Sequence, residues 1–187
     1  MIFVKKVNNN ECMILKELFE CKSTICPKII SIDNDEKIVV FEKYDCTLSD
    51  FIYKINGSKN INCEKKNLIL NNTKSKLKYL IKKLHLDHMI IHGDLHPNNI
   101  VVNISNLNKL DNSDNSFDLN NSDNSDNLFD LIDIRIIDFG IASKFSDIDL
   151  KKIRIYNSLY APTNPFKNLT SLINYETSCV DMIFEIF

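Results

Sequence analysis

The sequence HGDLHPNN, residues 92–99, lies between two short apolar runs, Met89–Ile91 and Ile100–Val102. Runs of β-branched residues on either side of a polar segment that contains proline predict two strands joined by a rigid loop. The loop carries a carboxylate at Asp94 and, five residues later, a carboxamide at Asn99. In phosphoryl transfer, one such group can orient a hydroxyl nucleophile while the other helps to hold a metal ion on the phosphates. This loop is therefore the first candidate site.

A metal ion on phosphates needs a further acidic ligand. Asp138 supplies one directly after the apolar pair Ile136-Ile137, and it is followed by Phe139 and Gly140. The pattern H-x-D-L-x-x-x-N, followed later in the chain by D-F-G, is a signature of protein kinases. Because both motifs are present in this order, each behind a predicted strand, the chain resembles the protein-kinase-like superfamily.

The resemblance implies an α+β, bilobal, kinase-like fold. A reduced, β-rich N-lobe would cover residues 1–44, and a truncated, mainly helical C-lobe would cover residues 45–187. The implied activity is of the serine/threonine protein-kinase type, an ATP- and Mg²⁺-dependent transfer of the γ-phosphoryl group to a hydroxyl of a protein or a small molecule. By the same resemblance Asp94 would be the catalytic residue, and Asn99 and Asp138 the metal ligands. Structural support would come from His92, Phe139, Gly140 and Asp181.

The N-terminal segment IFVKKV, residues 2–7, predicts a strand that is similar to the V-A-I-K strand of kinases. On that match Lys5 would contact the α- and β-phosphates. The amphipathic pattern that follows predicts a short helix, with Asn10 as a possible N-cap. This helix resembles the kinase helix whose glutamate pairs with the strand lysine. Glu11 is the expected partner, and Glu17 is the alternative.

Residues 27–33 and 36–44 predict two further strands. The second resembles the kinase strand that leads to the adenine-binding hinge. Phe41 would then be the gatekeeper side chain, and the backbone groups of Glu42 and Tyr44 would meet the edge of the adenine ring.

Further along, residues 53–67 are polar and predict a surface loop, whereas residues 74–87 give the clearest helical pattern. Residues 160–163, YAPT, resemble the kinase A-P-E element with threonine in place of glutamate. A last helix is expected to start near residue 178, where Asp181 would anchor the backbone of the catalytic loop. The apolar end, residues 182–187, is a candidate surface for a partner.

The segment at about residues 104–131 is of low complexity and contains a short tandem duplication, residues 111–119 and 123–131. It falls where kinases have a tight turn between two strands. Lengthening that turn about threefold costs only about 1 kcal/mol of loop-closure free energy. The segment is therefore predicted to be a disordered, tolerated insertion.

Composition narrows the class of protein. The chain has 187 residues, 44% of them hydrophobic and 26% charged, with a net charge of −2. These values are typical of a globular domain and disfavour nucleic acid or a membrane as partners. The sequence shows no signal peptide or membrane span, and none of its six cysteines forms a C-x-x-C pair, so a cytoplasmic location with reduced thiols is expected.

Some residues depart from the kinase pattern. The three glycines, at positions 57, 93 and 140, form no glycine-rich phosphate loop, which predicts weakened nucleotide binding. Gly93 replaces the usual arginine and His96 the usual lysine, which moves the loop towards atypical and aminoglycoside-phosphotransferase-type kinases. Two alternatives to a serine/threonine protein kinase therefore stay open. One is a catalytically inactive, kinase-like binding or scaffold protein, and the other is a small-molecule kinase.

Overall fold

The structure is a computed structural model that describes residues 1–59, 61–104, 132–150 and 166–185. The fold is α+β, and these residues form helices and short strands. The elements are β1 (Ile2–Lys6), α1 (Asn9–Glu20), β2 (Ile29–Asp33), β3 (Ile38–Glu42), β4 (Cys46–Thr47), α2 (Leu48–Gly57), α3 (Cys63–Asp87), β5 (Ile90–Ile91), β6 (Ile100–Asn103), β7 (Asp133–Ile136), β8 (Ser143–Lys144) and α4 (Leu169–Glu185), with 3₁₀ turns at Pro97–Asn99 and Phe145–Asp147.

The first sheet is antiparallel, with strand order β1-β3-β2. Lys5 lies opposite Val39, and Phe3 lies opposite Phe41. Since side chains alternate along a strand, Phe3 and Lys5 share one face of β1. Helix α1 packs against this sheet and buries Ile14, Leu15 and Leu18, while Met13 and Phe19 are exposed.

The second sheet, β4-β6-β7, brings two distant parts of the sequence together. Ile100 pairs with Ile136 across the antiparallel strands β6 and β7, and both side chains are fully buried. Asn99 directly precedes β6, and Asp138 lies two residues after the end of β7. The register therefore places both residues at the same edge of the sheet.

The two strands that flank residues 92–99 do not pair with each other. Strand β5 pairs with β8 in a separate two-stranded sheet, and β6 pairs with β4 and β7. Beneath them, the long helix α3 packs against α4. The HGDLHPNN loop thus connects two sheets.

Several boundaries differ from the sequence prediction. The expected surface loop at 53–67 is wrong, because α2 continues to Gly57 and α3 already begins at Cys63. The side chain of Asn62 caps α3, and Ile69, in the first half of the helix, is buried. Likewise, Asn8 rather than Asn10 caps α1. Helix α4 begins at Leu169, nine residues before the predicted start.

The predicted apolar end is largely covered where the structure describes it. Ile183 is fully buried, and Met182 and Phe184 are partly buried against the core. The expectation that these three side chains are exposed is therefore wrong, because the apolar stripe of α4 packs inward. Residues 186–187 lie outside the described residues, as do residues 105–131 with the duplication and the YAPT element at 160–163.

No helix in the described part of the chain is long and apolar enough to cross a membrane.

Candidate functional site

A cavity of about 490 Å³ lies between the first sheet, α1 and the second sheet. One part of its wall is apolar and includes Phe3, Leu15 and Val101, and the other end is charged. Its lining contains every residue for which the sequence predicts a contact with nucleotide or metal, namely Lys5, Glu11, Phe41, Glu42, Tyr44, Asn99 and Asp138. The volume is within the range of about 300–1,000 Å³ that is usual for small-molecule sites.

Lys5 is the central cation of the charged end. Its Nζ lies 2.7 Å from Glu11 Oε1 and 3.0 Å from Asp138 Oδ1. Burial alone would lower the pKa of Lys5, but the hydrogen bonds and charges of these two carboxylates outweigh it and raise the pKa. Lys5 is therefore positively charged at neutral pH.

Of the two glutamates that the sequence leaves open, Glu11 is the one that pairs with Lys5. Its side chain is buried, and its Oε1 also accepts a hydrogen bond from the backbone N–H of Phe139 at 3.1 Å. Glu17 lies on a different part of α1 and pairs with Lys144. Glu11 thus joins β1, α1 and the Asp138-Phe139-Gly140 motif.

Asp138 has an unusual backbone conformation, with a φ of 65°. A non-glycine residue in this left-handed region is uncommon and is found where the surroundings determine the backbone. Gly140 leaves room for close packing here. A Cβ atom at Gly140 would lie 3.3 Å from Asn8 Nδ2 and 3.4 Å from Asp138 Oδ1.

Asn99 holds the HGDLHPNN loop by hydrogen bonds within the loop. Its side chain Nδ2 donates to the backbone oxygen of Asp94 at 2.9 Å and to Asp94 Oδ2 at 3.3 Å. Because the amide nitrogen is used in this way, the carboxamide oxygen is the atom that can bind a cation. Asp94 itself lies beside the cavity lining, with a quarter of its side chain exposed, and His96 Nε2 is 3.6 Å from its Oδ2.

His92 connects the HGDLHPNN loop to the Asp138 motif. It is fully buried, and its Nε2 lies 2.9 Å from the backbone oxygen of Ile137. Since a carbonyl oxygen can only accept, Nε2 carries the proton, and Nδ1 accepts from the backbone N–H of Asp94 at 3.3 Å. The imidazole also packs edge-on against Phe139, with 5.1 Å between ring centroids.

Glu176 of α4 anchors the backbone of the HGDLHPNN loop, a role that the sequence motifs do not predict. This buried carboxylate accepts hydrogen bonds from the N–H of His92 at 3.1 Å and of Gly93 at 2.7 Å. Its Oε2 also lies 2.6 Å from His85 Nε2. A signal for it exists in the sequence, because Glu176 interrupts an otherwise apolar stripe at Leu172, Cys179, Val180 and Ile183.

The anchoring role predicted for Asp181 is wrong. Its carboxylate instead contacts Lys74 at 2.8 Å and Lys78 at 2.7 Å, both on α3. These lysines hold the pKa of Asp181 below its usual range. Five residues along an α-helix correspond to a rotation of about 140° beyond one turn. Asp181 therefore faces away from the loop that Glu176 reaches.

The donor set at the charged end fits Mg²⁺ in chemical type. Asn99 and Asp138 supply an amide and a carboxylate oxygen, and Mg²⁺ is commonly held by one or two such ligands together with waters and substrate phosphates. No group of three or more His, Cys, Asp or Glu side chains that could hold a metal occurs in the described ranges.

A comparison of the sequence with known protein families and with curated proteins found no match.

Proposed function

We propose that the protein is an ATP- and Mg²⁺-dependent phosphotransferase of the protein-kinase-like superfamily, with residues 1–44 as the smaller lobe and residues 45–187 as the larger. The observation that carries this proposal is the contact of Lys5 with Asp138 in a cavity that Asn99 also lines. A charged lysine in a cavity that two oxygen ligands also line suits a metal–triphosphate, and the carboxylate of Asp94 contacts one of these ligands, Asn99.

The apolar part of the cavity fits an adenine ring, with Phe41 in its wall and the chain from Glu42 to Tyr44 along its edge. Lys5 would neutralise phosphate oxygens. Asn99 and Asp138 would hold Mg²⁺, which supplies electrostatic stabilisation of the transferring group when bound.

Asp94 would accept the proton of the attacking hydroxyl. Two features support this role. Its carboxylate is partly exposed beside the cavity, and the hydrogen bond from Asn99 fixes its orientation. A positioned general base contributes typically about 10²–10⁴-fold to a rate.

Nucleotide binding is the first test. Mg-ATP is expected to raise the melting temperature of the wild-type protein, since a ligand that binds the folded state stabilises it. Lys5→Met should reduce or abolish this shift, because the phosphates lose their cation. Lys6→Met is the matched control, since Lys6 is the exposed neighbour on the same strand. Equal shifts in both variants would contradict the assignment of Lys5.

Phosphoryl transfer is the second test. Asp94→Asn should bind Mg-ATP as the wild type does and lose transfer by at least about 100-fold. Acceptors of two kinds, serine/threonine peptides and hydroxylated small molecules, separate a protein kinase from a small-molecule kinase. Binding of Mg-ATP without transfer to water or to either kind of acceptor would favour the inactive binding protein.

A further inference from the structure

Two asparagines at the start of α1 contact the backbone that follows Asp138. Asn10 Nδ2 donates to the carbonyl oxygen of Ala142 at 2.8 Å and lies 3.4 Å from that of Gly140. Asn8 Nδ2 donates to the Gly140 oxygen at 3.1 Å. The other side-chain atom of Asn8, Oδ1, accepts from the N–H of Glu11 at 2.8 Å and caps the helix. The start of one helix thus contacts the carbonyl groups of both Gly140 and Ala142.

These contacts lie next to a backbone conformation that needs support. Asp138 has its φ at 65°, which for a non-glycine residue persists when neighbouring contacts determine it. On one side His92 holds the carbonyl of Ile137. On the other side Glu11 holds the N–H of Phe139, and the two asparagines hold the carbonyls beyond it.

We propose that Asn8 and Asn10 are positioning residues that hold Asp138 in the conformation in which its carboxylate meets Lys5. In its link to metal binding this inference rests on the proposed function. The start of α1 then sets the geometry of the candidate metal ligand Asp138 in the nucleotide-free protein. The amide N–H groups are essential, because the atoms that they contact are carbonyl oxygens, which can only accept.

The experiment compares Asn→Asp substitutions, which keep the size and shape of the side chain but replace the amide donor by a carboxylate. Asn10→Asp removes the donor to Ala142 and Gly140. Asn9→Asp is the matched control, because Asn9 is the exposed first residue of the same helix and its substitution adds the same charge. Both substitutions place a negative charge in the first turn, so their effects on the helix dipole are similar.

Hydrogen exchange of the full-length, nucleotide-free protein is the primary measurement. Amides of residues 139–144 are expected to exchange about tenfold faster in Asn10→Asp than in wild type, and within about twofold of wild type in Asn9→Asp. Asn8→Asp provides a second variant, because aspartate also caps a helix and the substitution removes only the donor to Gly140. Equal exchange in Asn9→Asp and Asn10→Asp, with Asn8→Asp at the wild-type rate, would overturn the inference.

A second readout tests the link to the metal. The Mg²⁺ concentration that gives half-maximal ATP binding should rise about tenfold in Asn10→Asp, with a melting temperature equal to that of Asn9→Asp. An unchanged Mg²⁺ requirement in a variant with faster exchange would overturn the link to the metal. If the wild type binds no Mg-ATP while Asn10→Asp exchanges faster, the proposed function fails and the backbone contacts stand.

Discussion

Replacing Glu176 by glutamine should be among the most destabilising single-atom changes in the chain. Glu176 is 2% exposed and accepts from two backbone N–H groups and from His85. A carboxamide keeps one acceptor oxygen and turns an NH₂ group towards a donor, so at least one buried donor is left unpaired, at about 1–3 kcal/mol. The remaining bonds lose their charge assistance, whereas burial of a neutral group recovers part of the loss.

The net expectation for Glu176→Gln is a decrease of about 3 kcal/mol in the free energy of unfolding. For a domain of this size that corresponds to a melting temperature lower by about 6–12 °C. Urea unfolding followed by circular dichroism at pH 7 measures the free energy directly.

Glu185→Gln is the control for this measurement, because it makes the same substitution on the same helix at an exposed position. It should change the free energy of unfolding by less than about 0.5 kcal/mol. A cost below about 1 kcal/mol for Glu176→Gln would refute the reasoning, since the anchoring hydrogen bonds would then contribute little.

The same carboxylate should make stability depend on pH. Burial alone would raise the pKa of Glu176, but the hydrogen bond and charge of His85 and the N–H of Gly93 outweigh it and lower the pKa from its ordinary value of 4.5. A group with a lowered folded-state pKa stabilises the fold above its unfolded-state pKa and loses this effect as the pH falls below it. The difference between wild type and Glu176→Gln should therefore shrink as the pH falls below about 4.5.

Asp181→Asn should cost less than about 1 kcal/mol in urea unfolding, because its two lysine contacts lie at the surface and are screened by solvent. Gly140→Ala should change stability by less than about 1 kcal/mol in the same assay, because the added methyl group would lie 3.3 Å from Asn8 Nδ2, the end of an exposed side chain that can shift. Burial raises the pKa of the Cys26 thiol to about 12, so under native conditions its alkylation, followed by mass spectrometry, should be at least about tenfold slower than that of the exposed Cys63.

The fold is predictable from sequence where short apolar runs alternate with charge. The strands at Ile2–Lys6 and Asp133–Ile136 follow this pattern within a residue or two. The start of α3 is missed because its inward face carries Thr73, a polar residue. That side chain is fully buried, and its hydroxyl donates to the carbonyl of Ile69 at 2.8 Å. A threonine that bonds to its own helix in this way occupies an apolar position, and simple periodicity does not recognise it.

The residues of the candidate site also differ in how well the sequence predicts them. The motifs predict that Lys5, Asn99 and Asp138 lie together, and all three line one cavity. Such residues stand out in a sequence because a group proposed to contact phosphate or metal must be of a particular chemical type. The supporting residues are less predictable. Asn10 and Glu176 bind backbone groups, which occur at every position and can be reached from many elements, so local sequence does not specify them.

Helix phase explains which acidic residue supports the loop. Glu176 shares the face of α4 that buries Leu172 and Ile183, whereas Asp181 lies on another face and meets solvent and lysines. A carboxylate in a buried apolar stripe destabilises the fold unless hydrogen-bond donors pair with it. The position of Glu176 therefore indicates that buried donors face its carboxylate. His92 donates its backbone N–H to Glu176 and holds the carbonyl of Ile137, one residue before Asp138. Glu176 and the candidate metal ligand Asp138 therefore belong to one hydrogen-bonded unit. A change at Glu176 should be transmitted to Asp138 through His92.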